Sequence, residues 1–273
     1  MVVMRELPCR TPFHTASLLA FFAARAVPGV EEVDGTTYRR SVRLPHGPGV
    51  IALVLGEEPP GWELARGDPR DEAEAEALCR ALLDTDADPA EIDGALAADP
   101  LLAPLVEQAP GRRVPGCVDA AEIAVRAVLG QQVSVAAART QAGRLTEQCG
   151  ERLPEPAGAV THLFPSPQAL AALDPETLPM PRARGRALVA MAAAFAGGLD
   201  PRDRDAFLAL KGIGPWSADY VAMRCGDRDI LLETDLGVRR GFARIADPTV
   251  LTRSAEAWRP WRSYAVQHLW SLA

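Results

Sequence analysis

The chain has 273 residues and 48% hydrophobic content, enough for one large core or two to three small ones. It has no apolar run of the roughly 18 residues that a membrane helix needs. The net charge of −7 argues against a polyanionic partner for the chain as a whole, but residues 1–110 carry 9 basic against 19 acidic side chains and residues 111–273 carry 20 against 17. A phosphate-binding face therefore belongs on the second part, although an ordinary solvated surface also scatters charge this way.

In chain order, residues 14–27 read as an amphipathic helix, with Leu18, Leu19, Phe22 and Ala26 on one face and Pro28-Gly29 as its stop. Thr37–Leu44 and Gly49–Leu55 alternate as two strands joined through Pro45–Gly49, and Trp62–Ala65 reads as a short third. Asp71–Leu83 is a helix whose first turn is acidic, where the helix dipole favours negative charge. Helix and strand mixed over this stretch predict a small α+β domain. From Pro89 onward no strand pattern appears. Pro89–Ala98 and Leu101–Gln108 read as short helices, Pro110–Pro115 as a linker, and Asp119 to about Cys149 as two helices bent at Gly130. Glu151–Pro165 reads as a loop, and Ser166–Ala172, Pro181–Ala196 and Arg202–Leu210 as helices. The division expected is 1–112 for the α+β domain and 113–273 for an all-helical region.

The five cysteines, Cys9, Cys79, Cys117, Cys149 and Cys225, are scattered, odd in number and without a C-x-x-C pair. Reduced thiols fit this better than disulfides or a zinc site. The opening MVVMRELPCR lacks an apolar core of signal-peptide length, so the expected location is cytoplasmic.

The richest stretch is Leu210–Asp235, LKGIGPWSADYVAMRCGDRDILLETD. Glycines at 212 and 214 suit a tight turn between helices, and Pro215 suits the first helical position. The amides at such a helix start form an anion site fit for a DNA phosphate. Alone, Gly-x-Gly also reads as a plain helix–helix turn. On spacing alone, Asp235 reads equally as a catalytic carboxylate or as the N-cap of a following helix.

Three segments together resemble one family. Gly111–Thr140, GRRVPGCVDAAEIAVRAVLGQQVSVAAART, matches G-x-R-x-P-G-C-x-D-x-x-E and V-R-A-x-L-G-Q-x-V-S-V. Leu210–Asp235 matches a helix-hairpin-helix and aspartate signature, and Ala257–Trp270, AWRPWRSYAVQHLW, matches W-x-P-W-R-S-Y-A-x-x-H-x-W. A weaker match is FFAARAV at Phe21–Val27. The chain is similar to bacterial alkylation-repair DNA glycosylases of the AlkA type, in the helix-hairpin-helix superfamily. That resemblance implies an α+β fold: a small antiparallel-sheet domain like a TATA-binding-protein repeat, then two helical subdomains with the active site between them.

It also implies site roles. Asp235 matches the catalytic aspartate, which stabilises an oxocarbenium-like state or orients water while the damaged base is flipped out of the duplex. Trp216, Tyr220 and Trp270 match a base pocket suited to cationic or electron-poor bases, where a cation–π contact contributes ~0.5–2 kcal/mol. Trp258 and Trp261 read as core, and Glu233 is the rival carboxylate. Gly212, Gly214 and Lys211 of the hairpin, with Gln131 and Gln132 of the helix bend, are the DNA-contacting set. Gln132 stands where the family carries an apolar wedge, usually Leu, so an altered wedge is expected. Lys211 is the sole lysine. Lyase-type relatives place a lysine where this chain has Trp216, so hydrolysis without strand cleavage is expected. No cofactor is required, although the family implies a monovalent cation shared with phosphate at the hairpin. The implied partner is double-stranded DNA containing alkylated bases, above all 3-methyladenine and 7-methylguanine, bound by a monomer. The competing reading is a non-catalytic helix-hairpin-helix DNA-binding module, which has no need of Asp235.

Overall fold

The structure is a computed structural model that describes residues 4–56 and 59–273. Met1–Val3, part of the stretch read above for a targeting signal, lies outside them. Alternation in TYRRSVRL produces β3 (Thr37–Leu44), flanked by β1 (Arg5–Glu6), helix α1 (Thr15–Arg25) and β2 (Glu31–Asp34) on its N-terminal side. β4 (Gly47–Val54) pairs with β3 from Thr37↔Val54 to Leu44↔Gly47, so the connection is only Pro45-His46. β5 (Gly61–Arg66) completes an antiparallel sheet of order β1-β5-β4-β3-β2. The two edge strands went unread because two and four residues are too short to show a period.

One face of the sheet presents Tyr38, Val42, Ile51, Leu53 and Trp62 to Leu18 and Phe22 of α1 and to Cys79 and Leu82 of α2 (Glu72–Leu83). The other face is covered by a hairpin, β6 (Arg152–Ala157) and β7 (Val160–His162). Val50 packs there with Leu153, Ala157, Val160 and Leu163. This corrects the reading of Glu151–Pro165 as a loop and of everything after Pro89 as strandless. Pro154 and Pro156 remove two ladder donors and hide the pattern, but a two-stranded hairpin paired at Arg152↔His162 and Ala157↔Val160 tolerates them.

The remaining helices are α3 (Pro89–Ala97), α4 (Ala103–Gln108), α5 (Ala120–Gly130), α6 (Val135–Cys149), α7 (Pro167–Ala171), α8 (Arg182–Ala196), α9 (Arg204–Leu208), α10 (Pro215–Arg224), α11 (Leu236–Phe242), α12 (Leu251–Ser254) and α13 (Arg262–Trp270). They form two cores. One is built from α5, α6, α7, α8, α9 and most of α10, around Val128, Leu145, Leu188, Phe207 and Val221. The other joins α3 and α4 to α11–α13, around Ile92, Leu105, Phe242, Trp258 and Tyr264. Residues from before the linker thus complete the C-terminal core, and Trp258 Nε1 donates to Asp99 at 2.6 Å. Trp216 and Tyr220 of α10 pack against both cores, which places α10 at the seam.

Candidate active site

The hairpin runs from α9 through Lys211, Gly212, Ile213 and Gly214 into α10. Gly212 has φ +90, and a Cβ there would also meet the Ala187 Cβ at 2.7 Å, so glycine is demanded twice. Gly214 is different: it is extended, at φ −108, and a Cβ would meet nothing within 4 Å. As N-cap it makes no side-chain bond to α10, which leaves the helix start open for an anion. Lys211 is exposed beside it.

Gln131 and Gln132, grouped above, have different surroundings. The Gln131 amide donates to the Gly212 carbonyl and to Ser217 Oγ, both at 3.1 Å, tying the α5–α6 bend to the hairpin. Gln132 is exposed at the tip with φ +57, an unusual conformation for a residue with a side chain. Ser134 caps α6, its Oγ accepting from Ala137 N at 3.2 Å.

Asp235 is the N-cap of α11, Oδ1 accepting from Val238 N at 2.9 Å. It also takes two indole N–H groups: Trp270 Nε1 on Oδ1 at 2.9 Å and Trp216 Nε1 on Oδ2 at 3.0 Å. A carboxylate has about four lone-pair sites, so the three donors orient it and leave capacity for a fourth partner. The cap and the two indole contacts coexist at one residue. Glu233 points elsewhere, accepting from Thr252 Oγ1 at 3.1 Å on the exposed side.

The aromatic rings form a chain around this carboxylate. Trp216 and Tyr220 stack with centroids 5.3 Å apart, and Tyr220 meets Trp270 at 6.4 Å. Trp270 stacks on Phe21 of α1, also at 6.4 Å. Guanidinium groups share the wall: Arg25 lies 3.9 Å over Phe21 and 5.9 Å over Trp270, and Arg224 lies 4.8 Å over Phe21. Arg224 Nη1 also donates to Tyr220 Oη at 2.8 Å. Burial raises the Tyr220 phenol, but Arg224, Arg25 and Arg126 more than offset it, so it sits below its ordinary value. Trp258 and Trp261 are core residues, as read. So is His268, which burial, reinforced by Arg112 and His14, pushes down to about 3.

Residues 4–119 match the family model for the AlkA N-terminal domain. The chain is 37% identical to DNA-3-methyladenine glycosylase 2 of Escherichia coli, over 98% of this chain and 96% of that protein. The chain belongs to the AlkA family. It is 46% identical to the probable bifunctional transcriptional activator/DNA repair enzyme AlkA of Mycobacterium tuberculosis, over 98% of this chain but 57% of that protein. The chain thus spans little more than half the length of that relative. In fold it resembles a 3-methyladenine DNA-glycosylase from Archaeoglobus fulgidus, with a TM-score of 0.84 at 20% identity over 98% of both chains.

Around this candidate site of an AlkA-family chain, sequence reading missed Phe21, Arg25, Arg224 and Gly237. Phe21 sits at the border of the apolar face of α1, packing partly against the sheet core and partly on Trp270, and its place in the FFAARAV match was the available signal. Part of the basic charge of the second half is neutralised internally: Arg259 and Arg262 each pair with Asp229 at 2.6 Å. Arg239 and Arg240 of α11 remain exposed.

Gly237 gives a direct test of the packing. A methyl there would lie 3.0 Å from Trp270 Cδ1 and 3.1 Å from Asp235 Oδ1. Gly237→Ala should push the indole off the carboxylate while slightly favouring the helix, by roughly 0.5–1 kcal/mol. The expected result is unchanged or raised thermal stability with single-turnover base release slowed on the order of 10-fold or more. An unaltered rate would show that the Trp270–Asp235 contact does not matter.

Proposed function

We propose that the chain is a monofunctional DNA glycosylase that flips alkylated bases out of duplex DNA and hydrolyses the glycosidic bond. One observation carries this reading: the Asp235 carboxylate is fixed by two indole N–H groups inside an aromatic wall, next to an open helix start. Breaking the bond builds positive charge on the sugar, and a pre-oriented carboxylate stabilises that charge without reorganising. The hairpin amides and Lys211 hold a phosphate, giving affinity without reading sequence. Gln132 enters the gap left by the flipped base. The Gly212 carbonyl accepts from Gln131, Leu210 from Ile213 N, and Gly214 from Ser217 and Ala218 N, so the Lys211 and Ile213 carbonyls are the ones that would hold a monovalent cation beside that phosphate.

The wall also bears on selectivity. Arg25 and Arg224 already occupy faces of Phe21, and their charge opposes a cationic base. Discrimination therefore rests mainly on the weakened glycosidic bond of the lesion, with the aromatic contacts contributing modestly.

Incubation with methylated duplex DNA tests the reading. Chromatography should show free 3-methyladenine and 7-methylguanine with the sugar-phosphate strand left intact. Borohydride present during turnover should trap no covalent adduct, because the lyase lysine position is Trp216. Absence of released base would refute the enzyme assignment and favour a binding module. A trapped adduct would refute the hydrolytic one.

A further inference from the structure

Behind the aromatic wall, on the far side of Arg224, lies a cavity of about 360 Å³ that includes Cys117 and Cys225 in its lining. Their sulfurs are 3.7 Å apart, although the residues are 108 positions apart in sequence. Cys117 belongs to the linker that enters α5, and Cys225 ends α10. We infer that Cys117 and Cys225 form a reversible oxidation site for small hydroperoxides, and that their disulfide slows base excision by disturbing Arg224 and Tyr220.

The two thiols are unequal. The hydrogen bond with Cys117, then Arg202 and Arg224, hold the Cys225 thiol below its ordinary value, whereas that bond, burial and the neighbouring sulfur push Cys117 well up. Cys225 is thus the attacking thiol and Cys117 the resolving one. The Cys225 thiolate attacks the peroxide O–O bond, gaining oxygen as a sulfenic acid while the peroxide leaves as an alcohol, or as water in the case of hydrogen peroxide. The Cys117 sulfur then displaces the sulfenic oxygen, forming the S–S bond and releasing water with the thiol proton. Each disulfide consumes one hydroperoxide, and a thiol reductant returns both sulfurs by exchange. Cys79 and Cys149 are poorer candidates: Cys79 is buried with its thiol pushed up, and Cys149 donates to the Leu145 carbonyl at 3.3 Å.

The link to the pocket is Arg224. Its Nε and Nη2 donate to the Pro115 and Gly116 carbonyls at 2.5 and 2.6 Å, and its Nη1 holds Tyr220 Oη. A disulfide requires the sulfurs to close to about 2.05 Å. The linker side is clamped: a Cβ at Gly116 would lie 2.0 Å from the Ala81 carbonyl oxygen. The Cys225 side is freer, since Gly226 follows with φ +103 and no heavy atom within 4 Å of a built Cβ. Closure therefore moves the end of α10, which carries Arg224.

The oxidation site stands independently of the proposed function, and the effect on excision rests on it. The intact, fully reduced chain is first shown to release base, then treated with hydrogen peroxide and digested without reductant. Mass analysis should find a Cys117–Cys225 cross-linked peptide, two hydrogens lighter than its reduced parts. The oxidised chain should excise base ~10-fold more slowly, with a changed tryptophan fluorescence spectrum, and thiol treatment should restore both. Cys225→Ser should keep the reduced rate and be insensitive to peroxide, and Cys117→Ser should form no internal cross-link. Lack of the cross-linked peptide overturns the site. A cross-linked chain with the reduced rate and spectrum overturns its coupling to the pocket. Loss of excision already in the reduced chain indicts the glycosylase assignment instead, and the peptide and spectrum still decide the rest.

Discussion

Asp235→Asn is expected to lower base release at least ~100-fold while leaving the fold and duplex binding intact. Asparagine caps helices about as well as aspartate, so α11 should keep its start. The substitution removes the charge and turns one acceptor oxygen into a donor amide. That amide faces the Trp216 N–H now held at 3.0 Å, so one indole contact is lost as well. Asp235→Ala separates these effects: it removes cap, charge and both indole acceptors, and should cost a further ~1 kcal/mol of stability. Duplex affinity should persist in both variants, because the hairpin proposed to hold phosphate lies on α9–α10. Single-turnover release from methylated DNA and binding to an uncleaved duplex are the two measurements. An Asn variant that releases base at the parental rate would remove Asp235 from the chemistry and return it to the role of a cap.

Much of the candidate site's local structure was legible because its residues lie in short, locally constrained segments. Gly212, Pro215 and Asp235 declare a turn, a helix start and a cap by residue type alone, and the helices of the second half announce themselves by period. What stayed hidden depends on long-range meetings. Gly237 looks like a weak helix residue, and only the approach of Trp270 from α13 shows that a Cβ there would crowd the indole. Phe21 reaches the pocket from α1, on the opposite side of the linker. The hairpin at β6–β7 was obscured by its prolines, and its purpose appears only when Val50 is seen beneath it. Arg40 shares a strand face with Tyr38, Val42 and Leu44, so period two marks it as a buried charge, but its partner Glu122 is 82 residues away.

That buried pair sets the largest expected stability effect. Arg40 Nη2 donates to Glu122 Oε2 at 2.6 Å, and Arg126 Nη1 contacts both Glu31 Oε2 and Glu122 Oε1 at 2.9 Å. Tyr38 Oη and Val27 N donate to the Glu31 carboxylate at 2.6 and 2.8 Å. The network joins the sheet to α5, and Arg126 Nη2 also holds the Arg25 carbonyl at 2.8 Å, at the end of the helix that delivers Phe21. Two carboxylates balance two guanidinium groups, so Arg40→Leu leaves a buried excess negative charge. The expected loss is about 3–5 kcal/mol, read as a lower urea midpoint at unchanged slope. Arg40→Leu with Glu122→Leu removes charges of both signs and should recover most of that loss, since apolar replacements of a complete buried pair are often neutral. Equal destabilisation in the single and double variants would mean that packing volume, not charge balance, matters here. Acid should probe the same network. Burial raises the Glu31 carboxyl, but Arg126, Arg40 and its hydrogen bonds outweigh that and hold it at about 2, below its ordinary value. A carboxyl depressed on folding stabilises the fold above its unfolded pKa, and that stability disappears as pH falls through the folded value. The parent should therefore lose this contribution between roughly pH 4.5 and pH 2. In Arg40→Leu one guanidinium is left to depress Glu31, so its folded value rises towards the unfolded one, and the acid loss should be smaller and finish at a higher pH.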